Sequence, residues 1–122
     1  MLNGLPKYWI MVEPYDADKL EGAIGVLISM GCGDVLKHKA IFLMPDLLDK
    51  LGITYRIVSQ LPGEVILTFP RTYHGGWNCG MNLNIAQNVA CKPWIPFAAS
   101  ARHCDVKCGI MPLMPLRNLG HR

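Results

Sequence analysis

The chain has 122 residues, enough for one domain with a real core, and is 51% hydrophobic but only 17% charged, against roughly 25% charged in an average soluble domain. So apolar a chain is either a small greasy domain or part of a larger core whose other half would cover it. Its net charge of +3 is mild and scattered along the sequence without a basic block, so no nucleic-acid partner follows from charge. The longest apolar run, Ala23 to Met30, falls well short of the ~20 residues of a spanning helix, and no basic n-region opens the chain, so a soluble, non-secreted protein is expected.

Taken in order, Lys7 to Val12 is a short aromatic and β-branched run closed by Pro14, which predicts a strand. Asp18 with Glu21 three residues on has the form of a capping box, and Leu20, Ile24, Leu27 and Ile28 recur at helical spacing, predicting a helix over Ala17 to Met30. Gly31-Cys32-Gly33 then stops it. Pro45 at a first helical position, Leu47, Leu48 and Leu51 behind it, and Gly52 just beyond predict a short second helix.

After Gly52 the pattern changes to strands: Ile53 to Gln60, a turn at Pro62-Gly63, then Glu64 to Phe69, ended by Pro70. A third strand is expected within Met81 to Ala90, with Gly75 to Gly80 as a tight irregular turn before it. Pro93 to Pro96 breaks the pattern, and Ala98 to Cys104 reads as one short helix. The tail from Gly109 carries no periodic signal, with Pro112, Pro115 and Gly120 in it. No internal repeat or linker divides the chain.

Five cysteines, at 32, 79, 91, 104 and 108, are odd in number and do not space as a disulfide framework; a reducing compartment, with metal as a use for some of them, is the favoured reading. Cys32 and His38 share a loop, and Cys104 and Cys108 lie four apart. Such nitrogen and sulfur donors suit tetrahedral zinc, although on spacing alone buried free thiols are the commoner outcome. His74 lies in Phe69-Pro70-Arg71-Thr72-Tyr73-His74-Gly75-Gly76-Trp77-Asn78, where small neighbours admit another group to the imidazole; a metal ligand and an exposed loop histidine both remain open. His103-Cys104-Asp105 matches the H-x-D half of an iron facial triad, a pattern short enough to recur by chance. No phosphate loop, serine or cysteine triad, or paired-carboxylate site stands in the sequence.

Together, Gly4-x-Pro6-Lys7-x-Trp9, His38-Lys39, Gln60-x-Pro62-Gly63-Glu64 and Thr68-Phe69-Pro70-x-x-Tyr73-His74-x-Gly76-x-Asn78-x-Gly80-x-Asn82 resemble the Jumonji-C (JmjC) family, in the family's order. The resemblance runs from Gly4 to about Cys108, takes in Trp94 and Pro96 behind Asn88, and is closest to the zinc-containing trimethyl-lysine histone demethylases. It implies a mainly β fold with flanking helices, here part of a cupin-like double-stranded β-helix: residues 1–108 form the C-terminal part of a JmjC domain and 109–122 an irregular tail. It implies an Fe(II)- and 2-oxoglutarate-dependent oxygenase that decarboxylates 2-oxoglutarate to succinate, hydroxylates an N-methyl group and releases formaldehyde.

By the same resemblance His74 matches the distal iron histidine, Lys7 the lysine that pairs with the far carboxylate of 2-oxoglutarate, and Trp9 the aromatic wall beside it. Lys39 and Asn88 match polar residues lining the active site; Cys32, His38 and Cys104 match zinc ligands. Cys108 replaces a cysteine that the family places two residues after the previous one. The partner implied is a histone H3 tail carrying a methylated lysine, with no nucleic-acid site and no membrane, and the location implied is the nucleus. The departures are as specific: the family's H-x-D/E iron pair belongs upstream of Gly4, as do the tyrosine and asparagine that help hold 2-oxoglutarate. Ile85 stands where an acidic residue is usual, and Ala86 and Gln87 replace small hydroxyl residues of the methyl-lysine pocket. The leading expectation is a demethylase domain completed by an upstream half. The alternative is a catalytically inactive, zinc-stabilised remnant serving as a structural or interaction module, and a third reading is a protein hydroxylase on the same fold.

Overall fold

A computed structural model of the chain describes residues 1–27, 36 and 41–100. In chain order these carry β1 (Asn3–Gly4), β2 (Lys7–Val12), a 3-10 turn (Pro14–Asp16), α1 (Ala17–Leu27), α2 (Pro45–Lys50), β3 (Tyr55–Gln60), β4 (His74–Asn78), β5 (Asn82–Leu83), a second 3-10 turn (Lys92–Trp94) and α3 (Ile95–Ser100). The chain divides into two units, Met1–Ala23 with Phe42–Gln87, and Ile24–Ile41 with Asn88–Arg122.

The first unit is organised by β2, the middle strand of an antiparallel sheet in the order β3-β2-β4. Its alternation of side chains separates two faces. Ile10 and Val12 point to one face and are fully buried; on that face Tyr8 stacks on Trp77 at 5.7 Å and Phe42 meets Trp77 edge-on at 6.0 Å. Lys7, Trp9 and Met11 point to the other. The apolar core of the unit also takes in Ala17, Leu20, Leu43, Leu48 and Ile53, all buried, and the spacing of Ala17 and Leu20 explains why α1 is helical here. A separate two-stranded ladder pairs Asn3 with Leu83 and Gly4 with Asn82.

Several expectations hold: β2 runs over Lys7–Val12, Pro45 opens α2 and Gly52 lies just past its end. The turn at Pro62-Gly63 is of type II, with Gly63 at φ +87° and the Glu64 amide donating to the Leu61 carbonyl at 3.0 Å. That geometry also corrects the strand expected over Glu64–Phe69, which makes no ladder among the described residues. A type II turn has the wrong twist to fold two strands into a hairpin, and Val65, Leu67 and Phe69 are left 86%, 58% and 67% exposed.

Two further corrections concern glycine and proline. The irregular turn expected at Gly75–Gly80 is for most of its length β4, paired to β2 from Lys7↔Asn78 to Met11↔His74. Pro93 to Pro96 does not break structure: both prolines occupy helix-opening positions, in the second 3-10 turn and the start of α3. Asp18 and Glu21 form no capping box, because Asp18 already lies inside α1 and both carboxylates accept bonds from the loop before β4. The expected helix end at Gly31-Cys32-Gly33 and the tail 109–122 lie outside the described residues.

Candidate functional site

The face of the sheet opposite the core carries Lys7, Trp9 and His74. In the register of β2, Lys7 lies between Gln60 and Asn78, Trp9 between Val58 and Gly76, and Met11 between Arg56 and His74. Lys7, Trp9 and His74 therefore share one face. The Lys7 ammonium sits 4.3 Å from the centre of the Trp9 ring, and the Trp9 and His74 rings are 6.0 Å apart and tilted by 49°. Cation, indole and imidazole follow one another across the strand.

Glycine at 76 makes this close stacking possible. A Cβ there would stand 2.7 Å from the Tyr8 carbonyl oxygen, 3.2 Å from Trp9 Cε3 and 3.3 Å from Lys7 Cε. The Trp9 ring and the Lys7 stem thus lie directly over the β4 backbone.

The Trp9 ring is held at its far edge as well. Its Nε1–H donates to Gln60 Oε1 at 2.9 Å, and Gln60 Nε2 donates to the Glu64 carbonyl at 3.0 Å. Gln60 is only 5% exposed, so both ends of a buried amide are satisfied and its orientation is fixed. Sequence reasoning assigned Gln60 no role. The signal for it was available in the pairing of Lys7-x-Trp9 with the end of β3, but register is not readable from either segment alone.

His74 is exposed, with Nδ1 2.9 Å from the Thr72 carbonyl oxygen. A carbonyl accepts only, so Nδ1 carries a proton, and in the neutral ring Nε2 is then the nitrogen with the lone pair. Metal-binding histidines are oriented in this way, by donation of the second ring N–H to a carbonyl or carboxylate. The residues fit the role of one iron ligand. Among the described residues no three His, Cys, Asp or Glu side chains form a metal-binding group.

The loop ahead of His74 is tied to the start of α1. Arg71 donates to Asp18 at 2.5 Å and the Tyr73 hydroxyl donates to Glu21 at 2.8 Å. The hydrogen bond to Asp18 is also the main cause that holds the Arg71 guanidinium above its ordinary value, against a smaller opposing desolvation. Elsewhere the Thr54 amide, donating to Asp16 at 2.7 Å, keeps that carboxyl below the usual range.

Of the other sequence-derived site residues, Asn88 is exposed and belongs to the second unit. Lys39, Cys32, His38, Cys104 and Cys108 lie outside the described residues, as does His103-Cys104-Asp105. No described helix is long and apolar enough to cross a membrane.

The family described as JmjC domain, hydroxylase, matches residues 2–89. Among curated proteins, the human probable lysine-specific demethylase 4F is 38% identical over 109 residues, covering 87% of this chain and 17% of its own length. The rat lysine-specific demethylase 4D is 37% identical over 109 residues, 87% of this chain and 21% of that protein. The rice lysine-specific demethylase JMJ703 is 40% identical over 102 residues, 80% of this chain and 8% of that protein. The chain belongs to the JmjC family. Its small antiparallel sheets with short helices are a part of that family's cupin-like, mainly β fold. It spans a fifth or less of the length of two of these relatives and 21% of the third.

Proposed function

We propose that this chain is the part of an Fe(II)- and 2-oxoglutarate-dependent histone lysine demethylase that supplies the distal iron ligand and the cosubstrate wall. The single observation that carries this reading is the shared face of Lys7, Trp9 and His74, with the His74 Nδ1 proton engaged by Thr72 and its Nε2 lone pair free. On it, His74 Nε2 is one ligand of the iron. Lys7 pairs with the far carboxylate of 2-oxoglutarate, its ammonium kept over Trp9 by an attraction of about 0.5–1 kcal/mol at a partly exposed site. Trp9, fixed by Gln60, excludes water from one side of the cosubstrate. When bound, iron(II) would supply, with dioxygen and 2-oxoglutarate as co-substrates, the oxidising chemistry that turns an N-methyl group into a hydroxymethyl group, lost as formaldehyde, while 2-oxoglutarate leaves as succinate and carbon dioxide.

By the family resemblance, Lys39 and Asn88 are proposed as polar active-site residues. Cys32, His38, Cys104 and Cys108 are proposed as a structural zinc site, and residues 1–108 as the JmjC part, with 109–122 as a tail. The substrate proposed is a methylated lysine on the histone H3 tail, in the nucleus.

A facial triad needs three protein ligands, and His74 is the one assigned here. The 122 residues by themselves are therefore proposed to be inactive, completed by an H-x-D/E pair from an upstream half of the domain. A specific feature favours a second reading, an inactive zinc-stabilised module: Ile85, Ala86 and Gln87 stand where the family has an acidic residue and small hydroxyls.

The test has two arms. The transcript is read upstream of Met1 for an H-x-D/E, and the chain that includes it is assayed for succinate and formaldehyde on trimethyl-lysine H3 peptides. Turnover that disappears in His74→Ala and falls in Lys7→Ala supports the proposal. Turnover indifferent to His74→Ala, or an upstream sequence with no such pair, overturns it.

A further inference from the structure

We propose that Asp18 and Glu21, on the first turns of α1, are positioning residues for His74, acting through the two residues that flank Thr72. The inference rests on His74 as the iron ligand proposed above. It starts from the loop Phe69–Tyr73, whose one service to the site is to aim the Thr72 carbonyl at His74 Nδ1, at 2.9 Å. That carbonyl is what keeps the proton on Nδ1 and the lone pair on Nε2.

Contacts on both sides of Thr72 hold the backbone that carries its carbonyl. The Val12 amide donates to the Tyr73 carbonyl at 2.8 Å, anchoring the loop to the end of β2. Arg71, on one side of Thr72, donates to Asp18, and Tyr73, on the other, donates through its hydroxyl to Glu21. Asp18 and Glu21 are three apart on α1, so their side chains share a face and one helix grips the loop at both ends of a single peptide segment.

The backbone shows why the grip is needed. Arg71 has φ +64°, and it is the one described non-glycine residue in the left-handed region. A side chain there is strained, where glycine would be at ease. The conformation persists because its surroundings hold it, and the Asp18 pair, with the Thr72 amide donating to the Phe69 carbonyl at 3.2 Å, is what holds it. Without the pair the turn relaxes and the Thr72 carbonyl swings away from the imidazole. An exposed ion pair of this kind contributes little to global stability, so its effect is local.

The experiment reads the His74 tautomer directly, by long-range proton–nitrogen NMR on the metal-free 122-residue chain labelled with 15N-histidine, in solution or sedimented, above the imidazole titration range. The His74 signal is identified by its loss in His74→Gln. The unsubstituted chain is expected to show His74 as the Nδ1–H form. Asp18→Ala and Tyr73→Phe are each expected to give a mixture of both tautomers, whereas Asp18→Asn and Glu21→Gln, which keep an acceptor, retain the Nδ1–H form. Adding Arg71→Gly to Asp18→Ala is expected to restore it, because glycine takes φ +64° without help; a merely structural role for Asp18 predicts no such rescue.

Tyr73→Phe removes only a hydroxyl and keeps the ring, so the reading does not depend on Asp18→Ala folding. An unchanged Nδ1–H form in both Asp18→Ala and Tyr73→Phe overturns the positioning role, as does equal loss in Asp18→Asn. Because the tautomer is read without metal, that failure is distinct from a failure of the iron-ligand proposal, which turnover decides.

Discussion

Gly76 and its neighbour Gly75 allow the close stacking on the sheet to be tested with a matched pair of substitutions. In Gly76→Ala the new Cβ would stand 2.7 Å from the Tyr8 carbonyl oxygen and 3.2–3.3 Å from Trp9 and Lys7. The first of these is backbone of the central strand, which cannot move without disturbing the β2–β4 ladder. Overpacking of this kind costs roughly 1–3 kcal/mol, and the ~0.5–1 kcal/mol by which alanine is favoured over glycine in a strand interior offsets only part of it.

In Gly75→Ala the Cβ would meet Phe42 Cε2 at 3.7 Å and Ile10 Cγ2 at 3.8 Å, ordinary contacts on the core face. It is expected to be neutral or stabilising by up to about 1 kcal/mol. Urea denaturation gives the free energies, and in a unit of this size each kcal/mol is about 4–8 °C in Tm. Alongside, the Trp9 indole N–H resonance reports the bond to Gln60. Gly76→Ala should lower the midpoint and move that resonance, and Gly75→Ala should do neither. Equal stability of the two variants, with the Trp9 resonance unmoved in both, would refute the claim that the ring and the lysine stem lie against the β4 backbone.

Gln60→Leu should cost about 0.5–1.5 kcal/mol by removing the acceptor of the half-buried Trp9 N–H, measured by denaturation and by an upfield move of the Trp9 indole N–H signal. Gly22→Ala, at a site in α1 where nothing lies within 4 Å of the new Cβ, should stabilise by about 1 kcal/mol through helix propensity; a lower midpoint would contradict the helix. The Asp16 carboxyl is depressed in the folded state by the Thr54 amide and hydroxyl, so its contribution is fully present above the unfolded value near ~4 and is lost as the pH falls through the lower folded value. Asp16→Asn should therefore flatten the acid limb of the stability profile below about pH 4, and an unchanged limb would exclude the bond. Protein purified without added metal is expected to carry about one zinc per chain, as in four-ligand structural sites; elemental analysis showing the same zinc content in Cys32→Ser would rule out the proposed ligands.

Much of the local structure was legible. The aromatic and β-branched run closed by Pro14 gave β2 as Lys7–Val12, and the Pro45 and Gly52 brackets marked α2. What failed depended on partners. Gly75-Gly76 has poor intrinsic strand propensity, yet it forms β4 because a glycine is needed where the Trp9 ring crosses the strand. Val65-Ile66-Leu67 has high propensity, yet it makes no ladder, since the type II turn before it sends the chain away from β3. On the site, motif order supplied Lys7, Trp9 and His74 as candidates, but their common face depends on the register of β4 against β2. The roles of Gln60, Asp18 and Glu21 are contacts across 51 to 53 positions of sequence, and no local pattern carries them.

The most direct test of the cosubstrate wall is titration of the 122-residue chain with 2-oxoglutarate, followed at the Trp9 indole N–H resonance, which is assigned by its loss in Trp9→Phe. One ion pair at Lys7 and one ring face, without iron, correspond to a dissociation constant in the millimolar range, about 4 kcal/mol. The expected result is a saturable shift in that range that disappears in Lys7→Ala and is kept in His74→Ala. A Trp9 resonance that does not respond to 2-oxoglutarate, or that responds equally without Lys7, would contradict the assignment of this face to the cosubstrate.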